Sequence, residues 1–237
     1  MFRLIFFALV LIIETVICTF LAMIGGLFNP YSLFNTRIMR LWARVILILA
    51  GIKLEVCGKE NLSKKTSYIV VGNHQSHMDI PVVTVALPIP LRIISKKELF
   101  KIPVFGWGMK AMGIISIDRF NQKKSIESLR QAEQVILKYH MSILAFPEGT
   151  RSPDGKIHPF KKGPFVLAIN TGIPILPVSV CGTRHILPKG KIRINSGRVK
   201  VIIHPPILTE GSKMEKRHVL GDTTYRVIEQ DFIENYR

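Results

Sequence analysis

The chain is 237 residues long, 48% of its residues are apolar, and its formal net charge at pH 7 is +17. The length suits one domain with a short appended segment. A soluble domain with so much charge of one sign usually has fewer apolar residues, whereas a protein seated on an anionic membrane surface can have both. Aromatic residues are few, at 8%, and no recognised DNA- or RNA-binding motif is present, which argues against nucleic acid as the partner.

The cysteine pattern argues against a disulfide-rich or zinc-binding protein. Cys18, Cys57 and Cys181 are widely spaced, odd in number and without a C-x-x-C pair. Neither a disulfide framework nor a zinc site is expected from this pattern. Unpaired thiols predict a reducing, cytosol-facing compartment.

Residues 4–28 are almost continuously apolar, with Glu14 as the one charged residue, and are long enough to cross a bilayer, which needs about 20 such residues. The preceding Arg3 is also typical of a signal peptide. The apolar run is too long for an ordinary signal core, however, and lacks a clean small-residue cleavage site. Gly25-Gly26 and the Asn29-Pro30 step predict the end of this helix.

Residues 36–54 predict a second, amphipathic helix in which Trp42 and aliphatic residues alternate with Arg37, Arg40 and Arg44. This combination is typical of a helix at a membrane interface. Two membrane arrangements are open: the first helix spans while the second lies on the cytosolic face, or both form a hairpin that dips into one leaflet. The charged residue in the first run and the short turn favour the hairpin. Two buried core helices are the non-membrane alternative.

From residue 54 onward, short β runs alternate with helical patterns. This alternation predicts an α/β fold with a mostly buried mixed sheet flanked by helices, as one domain over residues 54–237 behind an N-terminal element over residues 1–53. The predicted strands are residues 54–57, 68–72, 91–95, 113–118, 142–146, 175–180 and 199–204. The predicted helices are residues 80–87, 104–112, 123–139, 162–171 and 222–236.

One candidate catalytic group follows the second predicted strand, where α/β folds place their sites. It is the run Asn73-His74-Gln75-Ser76-His77-Met78-Asp79. A carboxylate at Asp79 could accept the Nδ1 hydrogen of His74 and leave Nε2 free to take a proton from a substrate hydroxyl. The simpler interpretation is that Asp79 caps the next helix and His74 makes a structural turn bond. His77 is expected on the surface or in the loop.

Three further blocks carry weaker signals. The run from Phe146 to Ser152 contains Glu-Gly-Thr-Arg, which offers accessible backbone amides and a guanidinium that can bind phosphate bidentately. The run from Gly113 to Arg119 ends in the charged pair Asp118-Arg119. The run from Ile173 to Val178 has two prolines around an apolar strand, which predicts an edge strand or a wall and no chemistry of its own.

Two alternatives of other classes are open to test. A metal-dependent hydrolase could use His74, His77 and Asp79, although their spacing is not that of a known H-x-H-x-D-H site and no second His/Cys cluster is evident. A non-catalytic lipid-binding protein would account for the basic surface and apolar helices but would not need the His74–Asp79 pair. No G-x-S-x-G elbow and no P-loop are present.

The ordered set of blocks resembles the 1-acylglycerol-3-phosphate acyltransferase family. A His-x4-Asp block is followed by Lys-Lys-Glu-Leu, Ile-Asp-Arg, Phe-Pro-Glu-Gly-Thr-Arg-Ser and Ile-Pro-Ile-Leu-Pro-Val, over residues 54–206. Each block is weak alone, but all of them in this order are specific. The resemblance implies an α/β domain whose N-terminal helices seat the active site at the bilayer surface.

The resemblance also implies roles for individual residues. His74 is similar to the family's catalytic base and Asp79 to the carboxylate that orients it. The implied substrate-binding residues are Lys96, Arg119, Glu148, Gly149, Thr150 and Arg151, with Arg151 as a phosphate ligand. Pro174 and Pro177 fall on the block associated with the acyl donor. No metal ligand is implied.

The resemblance implies acyl transfer to the sn-2 hydroxyl of lysophosphatidate, without a covalent acyl-enzyme. No cofactor is expected; the co-substrate is acyl-coenzyme A or an acyl carrier protein thioester, and the sequence does not choose between them. The expected partners are these substrates and an anionic phospholipid membrane, with no nucleic acid. The expected location is the cytosolic face of the inner (plasma) membrane, as a monotopic or single-span protein.

Overall fold

A seven-stranded mixed sheet with helices on both faces is the frame of the molecule. The computed structural model describes residues 2–118, 121–190, 193–233 and 236. The strands are β1 Ile52–Cys57, β2 Ile69–Gly72, β3 Leu91–Lys96, β4 Ile115–Ile117, β5 Ser142–Ala145, β6 Ile175–Cys181 and β7 Gly197–Ile203. The helices are α1 Phe2–Phe28, α2 Leu33–Ala50, α3 Asp79–Ala86, α4 Phe105–Ala111, α5 Gln122–Tyr139, α6 Gly163–Thr171, α7 Thr183–Ile186 and α8 Arg217–Gln230.

The strand order β1-β7-β6-β2-β5-β3-β4 puts the most apolar strands at the centre of the sheet. β2 pairs in parallel with both β5 and β6, and the only antiparallel pair among the described strands is β6 with β7. The carboxyl ends of β2, β5 and β6 therefore lie at one edge of the sheet. All seven predicted strands are present, with ends within two residues of the predicted ones, and the mixed α/β architecture is confirmed.

Alternation along the central strands supplies two hydrophobic cores. Ile69 and Ile143 face a cluster formed with α5, α6 and α8, whereas their neighbours Val70 and Leu144 face a cluster formed with α1, α2 and α3. Because successive side chains of a strand point to opposite faces, a run that is apolar at every position must be covered on both sides. The helices supply that cover.

The two predicted N-terminal helices are present, and they form an antiparallel hairpin. Near the turn, Gly25 lies against Phe34 and Asn35, so closely that an added Cβ would come within 2.4 Å of the Asn35 side chain. Further along the pair, Trp42 Nε1 donates to Thr15 Oγ1 at 3.1 Å. The predicted domain boundary between residues 53 and 54 falls inside β1 and remains a prediction.

Two arginines fasten this hairpin to the sheet. Arg92, on β3, is fully buried and donates to the α1–α2 turn through the carbonyls of Pro30 (2.9 Å) and Ser32 (3.3 Å) and to the Thr36 hydroxyl (2.9 Å). Arg40, on α2, donates to two carbonyls just after α3, those of Leu87 and Ile89. Burial lowers the pKa of Arg92 to about 10. The hairpin is thus packed into the domain and is not merely appended to it.

Three sequence predictions are wrong. The second helix, predicted to reach residue 54, ends at Ala50, because Gly51 adopts the left-handed conformation and β1 begins at Ile52. The apolar strand predicted at the two prolines is β6, which contains Pro177 and directly follows Pro174; it lies inside the sheet between β2 and β7 and is not an edge. Pro177 is tolerated because it sits where the pairing with β7 ends: the register begins at Val178. The last helix begins at Arg217, five residues before its predicted start, because the chain before Asp222 already packs in helical form, with Gly221 against the ring of Phe165. This helix also ends at Gln230, six residues before its predicted end, and residues 234 and 235 of the prediction lie outside the described residues.

We expect Arg92→Met to lower the free energy of unfolding by about 2 to 3 kcal/mol, because it removes the guanidinium donors to Pro30, Ser32 and Thr36 while keeping side-chain length. Arg37→Met, at an exposed position of α2, is the matched control. Denaturant unfolding in detergent micelles, followed by circular dichroism, measures both. Equal stability of the two variants would contradict the fastening role.

Candidate active site

The loops that follow β2, β5 and β6 meet at the carboxyl edge of the sheet. They carry His74, Glu148 and Thr183, which are far apart in sequence. Parallel strands bring such loops together without any local sequence signal. The candidate residues predicted from separate blocks therefore converge in one place.

The buried carboxylate of Asp79 organises this edge. Its Oδ2 accepts from His74 Nδ1 at 2.8 Å and from the backbone N–H groups of Gln75 (2.7 Å) and Ser76 (2.9 Å). Its Oδ1 accepts from the Thr183 hydroxyl. Asp79 is the first residue of α3, yet its bonds run backward to the preceding loop, so it does not act as a cap of that helix.

His74 is held in one orientation by this arrangement. Its ring stacks on Phe146, with centroids 4.4 Å apart and planes inclined by 17°. Because the Asp79 carboxylate accepts at Nδ1, the proton of a neutral ring lies on Nδ1 and the lone pair lies on Nε2. The side chain is 12% exposed, which is enough for Nε2 to meet a substrate while Asp79 remains inaccessible.

Glu148 braces the same loop from the other side. Its Oε1 accepts from the backbone N–H of His74 at 2.6 Å, and its Oε2 accepts from the backbone N–H of His158 at 3.1 Å. Burial raises the pKa of Glu148, and the two backbone donors oppose that shift. Both carboxylate oxygens are thus engaged by the protein itself, so the predicted contact of Glu148 with the acceptor remains untested, whereas its contact with the His74 loop is direct.

Three residues that the sequence reasoning did not assign complete the frame. Asn73 mimics a strand by bonding both backbone groups of Val180, at 2.9 and 2.7 Å. Ser152 donates its backbone N–H to the carbonyl of His74 at 2.8 Å. Thr183 binds Asp79 as described above. Asn73 and Ser152 lie inside the quoted blocks and could have been suspected from their position, but Thr183 has no sequence signal.

The predicted phosphate-binding residues differ in their surroundings. The Arg151 side chain is partly exposed, and among the described residues its guanidinium has no hydrogen-bond or ion-pair partner; Lys189 Nζ holds its carbonyl at 2.7 Å. Thr150 is exposed, and Gly149 adopts a positive φ of 77° that only glycine takes without strain. Lys96 is exposed at the end of β3, 3.9 Å from Glu98.

Two remaining predictions have different outcomes. Arg119 lies outside the described residues, so the structure does not test it. Pro174 lies directly before β6, where its carbonyl accepts from the backbone N–H of Ile69, at the far edge of the sheet from His74. The carbonyl of Pro177 accepts from the backbone N–H of His204. Pro177 thus lies in the sheet and Pro174 directly before it, and their predicted link to the acyl donor remains a prediction.

An apolar cavity of about 390 Å³ opens beside the His74 loop, which it reaches at His77 and Met78. It lies between the N-terminal hairpin and the sheet. Its further lining comes from α1 and α2, α4 and β3, and includes Phe7, Leu11, Thr19, Met39, Trp42, Ile46, Ile93, Phe105, Met109 and Met112. Most of this lining cannot hydrogen-bond, so the cavity suits a hydrocarbon chain.

The metal-site alternative finds no support in the geometry. Within the part of the chain that the structure describes, no three His, Cys, Asp or Glu side chains lie close enough together to hold a metal ion. His74, His77 and Asp79 are included in that search.

Comparisons with known proteins identify the class to which this fold and site belong. A family model described as Acyltransferase matches residues 53–181, more than half of the chain. The sheep 1-acyl-sn-glycerol-3-phosphate acyltransferase alpha (Ovis aries) is 34% identical over 83% of this chain and 71% of its own length. The chain belongs to the 1-acyl-sn-glycerol-3-phosphate acyltransferase family.

Other relatives extend the comparison. Chloroplastic 1-acyl-sn-glycerol-3-phosphate acyltransferases of Brassica napus and Arabidopsis thaliana are 41% and 40% identical over 80% and 89% of this chain. The chain spans 54% and 60% of the length of these two relatives. The crystal structure of the 1-acyl-sn-glycerophosphate (LPA) acyltransferase PlsC from Thermotoga maritima matches with a TM-score of 0.81 and 29% identity, over 97% of this chain and 92% of that one.

We expect Glu148→Gln to lower kcat about tenfold with little change in either KM, because one backbone N–H would face an amide NH2 and the His74 loop would lose its fixed position. Steady-state kinetics with both substrates varied separates the two parameters. Glu60→Gln, at an exposed position, is the control. A selective rise in the acceptor KM would instead indicate that Glu148 contacts the acceptor.

Proposed function

We propose that this chain transfers an acyl group from an acyl thioester to the sn-2 hydroxyl of 1-acylglycerol 3-phosphate, giving phosphatidate. The observation that carries the proposal is the His74–Asp79 pair at 2.8 Å, in a loop that borders the apolar cavity at His77 and Met78 and is bonded by Ser152, the residue after Arg151. The names of the relatives support the same reaction.

The proposed chemistry needs no covalent intermediate on the protein. His74 Nε2 takes the proton of the acceptor hydroxyl as that oxygen attacks the thioester carbonyl. The tetrahedral intermediate collapses, its carbon–sulfur bond breaks, and the departing thiolate receives the proton from His74. Asp79 stabilises the imidazolium that exists between these two transfers, as the carboxylate of a catalytic triad does, with the substrate oxygen in place of serine.

The acceptor's phosphate is assigned to Arg151. The Arg151 guanidinium is partly exposed and has no hydrogen-bond or ion-pair partner within the described residues. It is therefore available for a bidentate contact with phosphate. Lys96, at the end of β3, would add positive charge at the same edge of the sheet. Binding the phosphate at a fixed place presents the neighbouring hydroxyl to His74, which is the positioning effect that makes a bound reaction fast.

The donor's acyl chain is assigned to the apolar cavity. The cavity lining runs from the His74 loop at His77 towards Thr19 and Met112, so a thioester carbonyl at its mouth would leave the hydrocarbon inside. The length of chain that fits is then set by the walls at the far end. The carrier of that chain is coenzyme A or an acyl carrier protein, both of which are acidic and suit the ten Lys/Arg against one acidic residue between positions 151 and 200.

We propose that the hairpin holds the protein in one leaflet of an anionic membrane. Leu4–Phe28 is the one described helix that is long and apolar enough to cross a bilayer, and 17% of its most apolar window is buried. One side of α1 is exposed and apolar. Its opposite side packs against α2 and α4, from Phe7 to Gly26. A perpendicular span would draw α4 and Lys110 into hydrocarbon, so a helix lying within one leaflet fits the packing better.

We expect His74→Ala to reduce acyl transfer by about 10³-fold or more while membrane association is unchanged, because the base is lost and the hairpin is not touched. The measurement is turnover of purified protein with lysophosphatidate and acyl-coenzyme A or acyl carrier protein thioester. His218→Ala, at an exposed position of α8, is the matched control. Undiminished turnover of the His74 variant would refute the assignment of His74 as the catalytic base.

For Arg151→Ala we expect the acceptor KM to rise roughly tenfold or more while the donor KM changes little, since a charge-assisted contact to phosphate is lost. Lys156→Ala, at an exposed position in the same loop, controls for the general loss of positive charge. Initial rates with each substrate varied in turn give both constants. Equal effects on the two substrates would argue against a phosphate ligand.

A further inference from the structure

One segment forms a wall of the apolar cavity and an exposed surface at the same time. It comprises the 3₁₀ turn Lys97–Lys101 and α4, and is called the 97–111 segment below. On its inner side, Leu99, Phe105 and Met109 line the cavity. On its outer side, Ile102 and Trp107 are 46% and 53% exposed. Exposed apolar side chains of this size mark an interaction surface where they join a larger apolar patch.

The outer side of this segment continues the exposed face of α1. An added Cβ at Gly108 would lie 2.5 Å from the Thr19 hydroxyl, and one at Gly26 would lie 2.8 Å from the carbonyl of Ala111. Trp107 is the i−4 neighbour of Ala111, so it borders this contact. Around the contact α1 exposes apolar side chains, each more than 40% accessible: Phe20, Met23, Ile24 and Leu27. The exposed surfaces of α1 and α4 are therefore contiguous.

The charges of the segment suit an anionic surface. Residues 96–110 contain four lysines and one acidic residue, Glu98. Lys97 is paired with Asp118, whereas Lys101 and Lys110 are exposed and have no ion-pair partner among the described residues. A tryptophan flanked by lysines beside an apolar face is the composition found where proteins meet lipid headgroups.

The backbone holds the segment in this orientation. Val104 adopts φ 63° and ψ −61°, a strained conformation for a β-branched residue, and Phe105 N–H donates to the Pro103 carbonyl at 2.7 Å. The Val104 carbonyl is held by the Thr19 hydroxyl at 3.3 Å. This tight turn separates Ile102, which points outward, from Phe105, which points into the cavity. Strain of this kind persists only where the surroundings enforce it.

We propose that the 97–111 segment is a second bilayer-contacting element, which docks on anionic phospholipid through Ile102, Trp107, Lys101 and Lys110. The proposal rests on the proposed function for placing α1 in a leaflet. It adds that the wall of the acyl cavity itself touches the lipid headgroup region, so a lipid substrate reaches the cavity beside this wall and not through water.

Tryptophan fluorescence tests the contact directly, because the chain has two tryptophans. In Trp42→Phe the remaining emitter is Trp107. We expect its emission to shift to shorter wavelength when the full chain is reconstituted from detergent into phosphatidylcholine–phosphatidylglycerol vesicles. We also expect it to be quenched more by phospholipid brominated near the headgroup than by phospholipid brominated near the chain end.

The matched control carries Val219→Trp in the background Trp42→Phe, Trp107→Phe. Val219 is 62% exposed on α8, which covers the opposite face of the sheet, and its replacement should not be quenched. Unquenched Trp107 in protein that is membrane-bound through α1 would overturn the proposal. A shift of Trp107 produced by an acyl carrier protein without lipid would also overturn it, and would identify the patch as a carrier-docking surface.

Kinetics separate this contact from the catalytic proposal. We expect Ile102→Ser combined with Trp107→Ser to raise the apparent KM for vesicle-borne acceptor several-fold while turnover in detergent micelles is unchanged. If the wild-type chain shows no acyl transfer in micelles, the proposed function is refuted, whereas the fluorescence test of the lipid contact is unaffected. An unchanged KM on vesicles in the double variant would overturn the docking role of the segment.

Discussion

The buried carboxylate of Asp79 is the interaction on which the site depends. It receives hydrogen bonds from His74, from two backbone amides of the same loop and from Thr183. A carboxylate that is removed from water must be satisfied by such donors or it becomes costly. These hydrogen bonds hold the loop after β2 in one conformation and join it to the chain that follows β6. The His74 ring is therefore oriented by the hydrogen bonds that the buried Asp79 carboxylate requires.

The N-terminal hairpin has two roles that a simple anchor would not have. Its inner side completes the hydrophobic core over the sheet, and with β3 and α4 it encloses the apolar cavity. Its outer side leaves a continuous apolar surface. An exposed apolar surface and an apolar cavity are thus separated by the thickness of one helix layer. This arrangement suits the proposed lipid substrate, whose tail would not need to leave the bilayer.

Much of the fold could be predicted from the chain, because β-branched runs and apolar periodicity report burial directly. The pairing of His74 with Asp79 could also be predicted, since five positions separate them and the following blocks are specific. Thr183 could not be predicted, because its partner Asp79 is 104 residues away and the contact exists only when β2 and β6 are adjacent. The prediction of an edge strand for β6 was wrong because prolines usually mark an edge. Here Pro177 lies just beyond the residues of β6 that pair with β7.

Arg92 has a consequence for the order in which the molecule is assembled. Its guanidinium is buried under the turn of the hairpin, and three of its four acceptors, on Pro30, Ser32 and Thr36, belong to the hairpin. Until the hairpin docks, β3 holds a cation that is either solvated in an open core or left without acceptors, at a cost of several kcal/mol. The final packing of the sheet therefore waits for the hairpin. If the hairpin is seated in one leaflet as proposed above, the catalytic half completes its folding at the membrane surface.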